Sequence, residues 1–121
     1  QNLISDLSPL RNLVNLQSLT LSYNQISDLR PLSGLANVVT LNLENNQIDN
    51  IDPLATLHRV TGLNIHNNRI YDICALLCMR SLGVVSLHSN PLDLTDGSVP
   101  DRIVDKLKAK GKLVYTTPPN Y

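Results

Sequence analysis

Apolar residues recur along this chain with a period of 22. Written from Leu13, the units open at Leu13, Leu35, Leu57 and Met79, and the same chemistry returns at each offset. One column holds Leu16, Val38, Val60 and Leu82; the next holds Leu19, Leu41, Leu63 and Val85. Two more run Leu21, Leu43, Ile65, Leu87 and Ile26, Ile48, Ile70, Leu92, with Ile4 in phase. Asparagine occupies a fifth column at Asn24, Asn46, Asn68 and Asn90, with Asn2 in phase. Inside each unit Leu19 and Leu21 alternate with Ser18, Thr20 and Ser22, the period of two expected of a short strand with one buried face. Repetition at this length predicts a solenoid, in which each unit buries its apolar face only against its neighbours. The strands should stack as a parallel sheet at a spacing of ~4.8 Å, with the leucines inward and the polar side outward.

The Asn column follows the strand, where the chain turns inward and backbone groups lose their ladder partners. An amide both donates and accepts, so stacked asparagines can satisfy those groups, which makes the column structural. The second half of the unit carries proline at Pro9, Pro31 and Pro53, where a fixed φ suits a turn or a first helical position.

The repeat L-x-x-L-x-L-x-x-N-x-I, over roughly residues 1–94, resembles the leucine-rich repeat family in its 22-residue subclass. The proline-bearing halves Asp6 to Leu10, Asp28 to Leu32 and Asn50 to Leu54 resemble the bacterial internalin type. The eukaryotic phosphatase-regulator type is similar in period, but that regular proline is not expected of it. The resemblance implies an α/β repeat solenoid: a right-handed arc with a parallel β-sheet on its concave face and short helical or 3-10 turns on its convex face.

The two ends depart from the repeat. Residues 1–12 are a partial unit, since Gln1 to Ile4 align with Tyr23 to Ile26 and the preceding strand is missing. An uncapped solenoid end exposes core leucines, so the chain is expected to be part of a longer, multidomain protein. At the other end the period is lost after Leu92, and residues 95–121 read as a cap. Ser98 is a candidate N-cap, with Asp101 in the first turn of a helix over about 99–110. Val99, Ile103, Val104 and Leu107 lie at helical spacing, ready to face the last repeat. Gly111 fits the position after the helix, with Lys106, Lys108 and Lys110 at its negative end. A strand over about 112–117 should close the sheet edge with Leu113 and Val114. This ending is similar to the helix-plus-strand cap of bacterial leucine-rich repeat domains. Pro118-Pro119 reads as the start of a linker.

Composition narrows the function. Ten Lys plus Arg balance ten Asp plus Glu, whereas a dedicated nucleic-acid binder carries a basic surplus. No apolar run reaches the length of a membrane span, and the first residues lack the pattern of a signal peptide. The 23 leucines and 14 asparagines both belong to the repeat; four tyrosines are the only large aromatics. The chain has no G-x-S-x-G, glycine-rich phosphate loop, H-E-x-x-H or C-x-x-C, so no enzymatic role is read from it and no cofactor is implied. Cys74 and Cys78 stand four apart on the convex side, a poor spacing for a disulfide, and are read as free thiols.

Candidate binding residues lie on the exposed strand face. One column is Ser22, Glu44, His66 and His88; a second is Thr20, Asn42, Asn64 and Ser86; outside them run Tyr23, Asn45, Asn67 and Ser89. Ser18 and Thr40 complete the face. Glu44, His66 and His88 are metal-ligand types on three neighbouring strands, yet the outer two would stand ~9–10 Å apart, wide for a single ion. A rigid sheet of hydroxyls, amides and imidazoles offers donors and acceptors at little ordering cost. The resemblance likewise implies a non-enzymatic module that binds a protein partner through the concave face. A structural spacer, whose repeats only position a fused domain, is the alternative. The resemblance favours the cell surface or secretion, with the cytoplasm left open. The protein is expected to be a monomer unless its uncapped N-terminal end self-associates.

Overall fold

The computed structural model describes residues 2–117; Gln1 and the Pro118-Pro119 linker lie outside the described residues. Five short strands, β1 (Ser18–Thr20), β2 (Thr40–Asn42), β3 (Gly62–Asn64), β4 (Val84–Ser86) and β5 (Leu113–Tyr115), form one sheet in sequence order. All four pairings are parallel, and from β1 to β4 the register advances by one repeat per strand, Leu19 against Leu41, Leu41 against Leu63, Leu63 against Val85. Hydrogen bonding continues past each assigned strand, as Leu21 N–H donates to the Asn42 carbonyl and Tyr23 N–H to that of Glu44. The face therefore extends through the column of Ser22, Glu44, His66 and His88. This is an α/β repeat solenoid.

On the convex side each unit returns through a 3-10 turn: Ser8–Leu10, Arg30–Leu32, Asp52–Thr56 and Cys74–Cys78. Proline stands in the first residues of the first three turns, where its missing N–H leaves no donor unpaired. The fourth has Ala75 at that position and forms the same turn. A side chain just before each turn secures it: Asp6, Asp28, Asn50 and Asp72 each accept from the backbone N–H two residues on, at 2.9–3.0 Å. These Asx turns compensate for the absence of a side-chain cap on the turns themselves. At Asp28 the turn is reinforced by Arg30, and together they hold the Asp28 carboxyl down to about 2. Cys74 and Cys78 are free and exposed, and the Asp72 carboxylate, which accepts from Cys74, pushes the Cys74 thiol up.

Between sheet and turns lies one continuous aliphatic core. Leu43, Ile48, Leu54, Val60, Ile65, Ile70 and Leu76 have no exposed surface, and aromatic side chains contribute nothing to it. The asparagine ladder binds successive repeats. Asn46 Oδ1 accepts from Ile26 N–H in the preceding unit, while its Nδ2 donates to the carbonyls of Leu21, Leu43 and Glu44. Asn68 and Asn90 repeat the pattern one and two units on. Asn24 lacks the carbonyl of an earlier strand and donates only within its own unit.

The C-terminal helix α1 spans Val99–Ala109. Ser98 Oγ accepts from Asp101 N–H, and Gly111, at φ +82°, ends the helix. Gly111 N–H bonds the Lys108 carbonyl and Lys112 N–H that of Leu107, the Schellman pattern. Ile103, Val104 and Leu107 cover the last repeat. Val99 does not: it is 62% exposed, because the helix begins there and its first residue still lies off the packed face. The final strand is also shorter than expected, Leu113–Tyr115 rather than 112–117, and only Val114 turns inward. Strand alternation sends the Leu113 and Tyr115 side chains outward, so Leu113 closes the edge through its backbone, opposite Val84, while its side chain is 58% exposed. At the other end Leu3 and Ile4 are exposed, as are Leu13 and Val14.

Candidate functional site

The concave face is a regular array because its backbone is. Residues 22 apart become neighbours on adjacent strands, so each column of the repeat becomes a row across the sheet. Ser18 and Thr40 join hydroxyl to hydroxyl at 2.9 Å. Next in that row comes Gly62, flanked by Val84. A Cβ placed there would meet only Val84 Cγ1 at 3.8 Å and Thr40 Cγ2 at 4.0 Å, so the glycine leaves a notch and no strained backbone. The notch opens into a shallow concavity of about 430 Å³ whose side-chain walls include Thr20, Thr40, Asn42, Asn64, Val84, Ser86 and Tyr115.

The ionisable part of the face lies one end further along the strands. Glu44 and His66 pair at 2.8 Å between Oε2 and Nε2, with side chains only 18% and 19% exposed. Asn64 Nδ2 donates to the same Oε2 at 2.9 Å, and Asn42 Oδ1 accepts from the Glu44 N–H. The His66 ring stacks on His88 with centroids 4.1 Å apart and planes 17° from parallel. His66 Nδ1 is buried without a hydrogen-bond partner, so the hydrogen-bond pattern assigns the neutral ring's proton to Nε2. His88 Nδ1 lies 3.3 Å from Ser89 Oγ. Burial holds the His88 imidazole below the ordinary histidine value, and His66 adds to this while Glu44 opposes it.

Glu44, His66 and His88 are thus drawn together, but in a line. The carboxylate meets one imidazole edge-on, and the second imidazole lies face to face with the first. Lone pairs in two stacked ring planes run side by side and do not converge on one ion. Among the described residues no group of three or more His, Cys, Asp or Glu side chains is placed to hold a metal ion.

The outer row, Tyr23, Asn45, Asn67 and Ser89, has φ between 54° and 60° at every position. The left-handed turn lifts these side chains to the rim of the face, where Asn67 Nδ2 donates to Asn45 Oδ1. Tyr23 is half exposed there. Several candidates therefore have work inside the protein: Asn64 positions Glu44, Asn42 fixes a backbone turn, and Ser18 and Thr40 satisfy each other. Ser22, Thr20 and Ser86 are left with their hydroxyls toward the face.

Sequence reasoning missed Gly62, Val84 and Tyr115. The first two sit in the row of Ser18 and Thr40, so the 22-residue period already contained them, but a search for polar donors passes over a glycine and a valine. Tyr115 was legible only through alternation around Val114, beyond the end of the repeat.

A family model for leucine-rich repeats (two copies) matches residues 1–34 and again residues 14–56. No curated protein sequence matches the chain. Among solved structures, an internalin (inlF) of Listeria monocytogenes is similar with a TM-score of 0.85 and 29% identity, covering 96% of this chain and 33% of that one. Internalin C2 of the same organism is similar over 78% of this chain and 43% of its own, with 39% identity and a TM-score of 0.72. A leucine-rich repeat protein of Leptospira interrogans shares the fold, with a TM-score of 0.77 and 24% identity over 93% of this chain and 29% of that one. The chain spans well under half the length of each. With the repeat in register from Asn2 to Leu92 and prolines in its convex turns, the chain is built of leucine-rich repeats and is similar in sequence and fold to the internalins.

Proposed function

We propose that this chain is a non-enzymatic protein-interaction module that captures its partner through the concave strand face. The observation that carries the reading is the contrast within that face. Its backbone is locked by the parallel ladder and the buried asparagines, while Thr20, Ser22, Tyr23, Ser86, His88 and Tyr115 project from it with few or no partners of their own. A surface already ordered before binding loses little conformational entropy when a partner arrives. Tyr23 and Tyr115 supply aromatic contact area of the kind that anchors interfaces. The internalin-like neighbours support the same class of role.

The experiment replaces Tyr23, Glu44, His66 and His88 together by alanine in the full-length protein. A recognition module keeps its circular dichroism and loses partner capture. Retention of the whole protein's activity and partners by that variant would instead support a spacer, whose repeats only position what is attached to them.

A further inference from the structure

We propose that the concave face recognises its protein partner through a basic side chain seated on Glu44, with an apolar side chain of the same partner in the notch at Gly62. The inference rests on the concave-face reading and specifies the partner's chemistry.

Glu44 is the one acidic side chain in the rows that make up this face, and nothing cationic stands in those rows apart from what the histidines can become. Its Oε2 is held twice, by Asn64 Nδ2 at 2.9 Å and His66 Nε2 at 2.8 Å. Among the described residues its Oε1 accepts no hydrogen bond, yet it is not sealed from solvent, since His66 Nδ1 alone is both buried and unpartnered. The result is a carboxylate fixed in orientation with one oxygen free. A charged acceptor that is already immobilised and partly desolvated favours a cationic donor, and an ammonium or guanidinium completes its coordination.

The second contact is set by the repeat. The row containing Gly62 lies four residues before the row containing His66 and Glu44, or about 13 Å along the strand direction. The notch is bordered by Val84 and Thr40 methyl groups and opens into the concavity that Tyr115 also lines, so it suits an apolar side chain. An extended partner segment lying along the strands would therefore carry its basic residue about four positions from its apolar one.

The same geometry makes capture depend on pH. The titratable groups on the face are Glu44, His66 in contact with it, His88 stacked on His66, Tyr23 on the rim and Tyr115 on β5; Asn42, Asn64 and Ser89 complete the surroundings and do not titrate. Protonating His88, stacked 4.1 Å from the ring that holds Glu44, brings positive charge toward a seated cation, so acidification weakens capture.

The test is a phage-displayed random peptide library selected on the full chain, then measured by titration on the variants Glu44→Gln and Gly62→Val. Expected are peptides enriched in Arg or Lys about four positions from an apolar residue. Their affinity should fall about tenfold on Glu44→Gln, the loss of one charge-assisted contact. It should fall again on Gly62→Val, which fills the notch while matching its β-branched neighbours Thr40 and Val84. Selected peptides should also bind more weakly at pH ~5.5 than at pH ~7.5, and less steeply so on His88→Asn. Peptides that lose binding on Gly62→Val but carry no basic position, or ignore Glu44→Gln, overturn the proposal and leave the concave-face reading standing. Peptides indifferent to both variants, or no enrichment at all, count against both.

Discussion

Asn45 and Asn46 are adjacent and identical, as are Asn67 and Asn68, yet they belong to different parts of the molecule. Asn46 and Asn68 are buried beneath the turn and each makes hydrogen bonds to its own repeat and to the preceding ones. Asn45 and Asn67 stand on the rim at positive φ and bond mainly to each other. The inner column closes the solenoid and the outer one borders the concave face proposed to bind a partner. One residue type, one step apart, thus serves the fold at one position and the rim of that face at the next.

Substitution on the inner column should have the largest effect. Asn46→Ala strands the buried Ile26 N–H and takes one of two amide donors from each of the Leu21 and Leu43 carbonyls, and should cost about 1–3 kcal/mol, read as a lower denaturant midpoint. Asn24→Ala should cost less, because Asn24 accepts from the Ile4 N–H but has no carbonyl of an earlier strand to bond, and an equal loss would mean that the carbonyl contact between strands contributes little.

Tyr23→Asn should move stability the other way. A bulky side chain at φ 60° is strained, whereas Asn tolerates that conformation, so a gain of about 1 kcal/mol is expected in thermal unfolding. The same change removes an aromatic from the rim and should weaken partner capture. A residue that is unfavourable for the fold and favourable for contact is what a binding role predicts at this position.

The smallest mutational effect is expected on the outer amides. Asn67→Gly, which removes one exposed side-chain bond and keeps a backbone suited to φ 54°, should change stability by no more than about 0.5 kcal/mol. A cost matching that of Asn46→Ala would erase the distinction between the columns.

The histidine stack adds a pH dependence to the same face. His88 has its pKa lowered in the folded protein, so the unfolded chain binds a proton first as pH falls. Its contribution to stability is complete above the ordinary histidine value of 6.5 and is lost as pH drops from there through the lowered folded value. His88→Asn should flatten that part of the stability profile, measured by denaturation at a series of pH values.

Most of the architecture was legible because a solenoid makes local sequence and tertiary position nearly the same thing. A residue's offset within 22 determines whether it is core, ladder or face, and each repeat checks the others. Legibility failed where the period ends. Val99, Leu113 and Tyr115 have no counterparts 22 residues away, so strand alternation and the position of a helix's first turn decided their exposure. It also failed where the missing side chain mattered: Gly62 forms the notch by lacking what its row carries elsewhere.

The sequence by itself determined the repeat, the aliphatic core, the asparagine ladder and the identity of the exposed rows, because periodicity and alternation are properties of the chain. Only the tertiary structure decided what those rows do to one another. Glu44, His66 and His88 were a column of three candidate ligands; stacking the repeats turned them into a hydrogen-bonded carboxylate and imidazole with a second ring laid against them. The physical reason is that side-chain direction is chosen after the strands meet. The neighbouring row then supplies the hydrogen bond from Asn64 that decides which oxygen of Glu44 is occupied and which is left open.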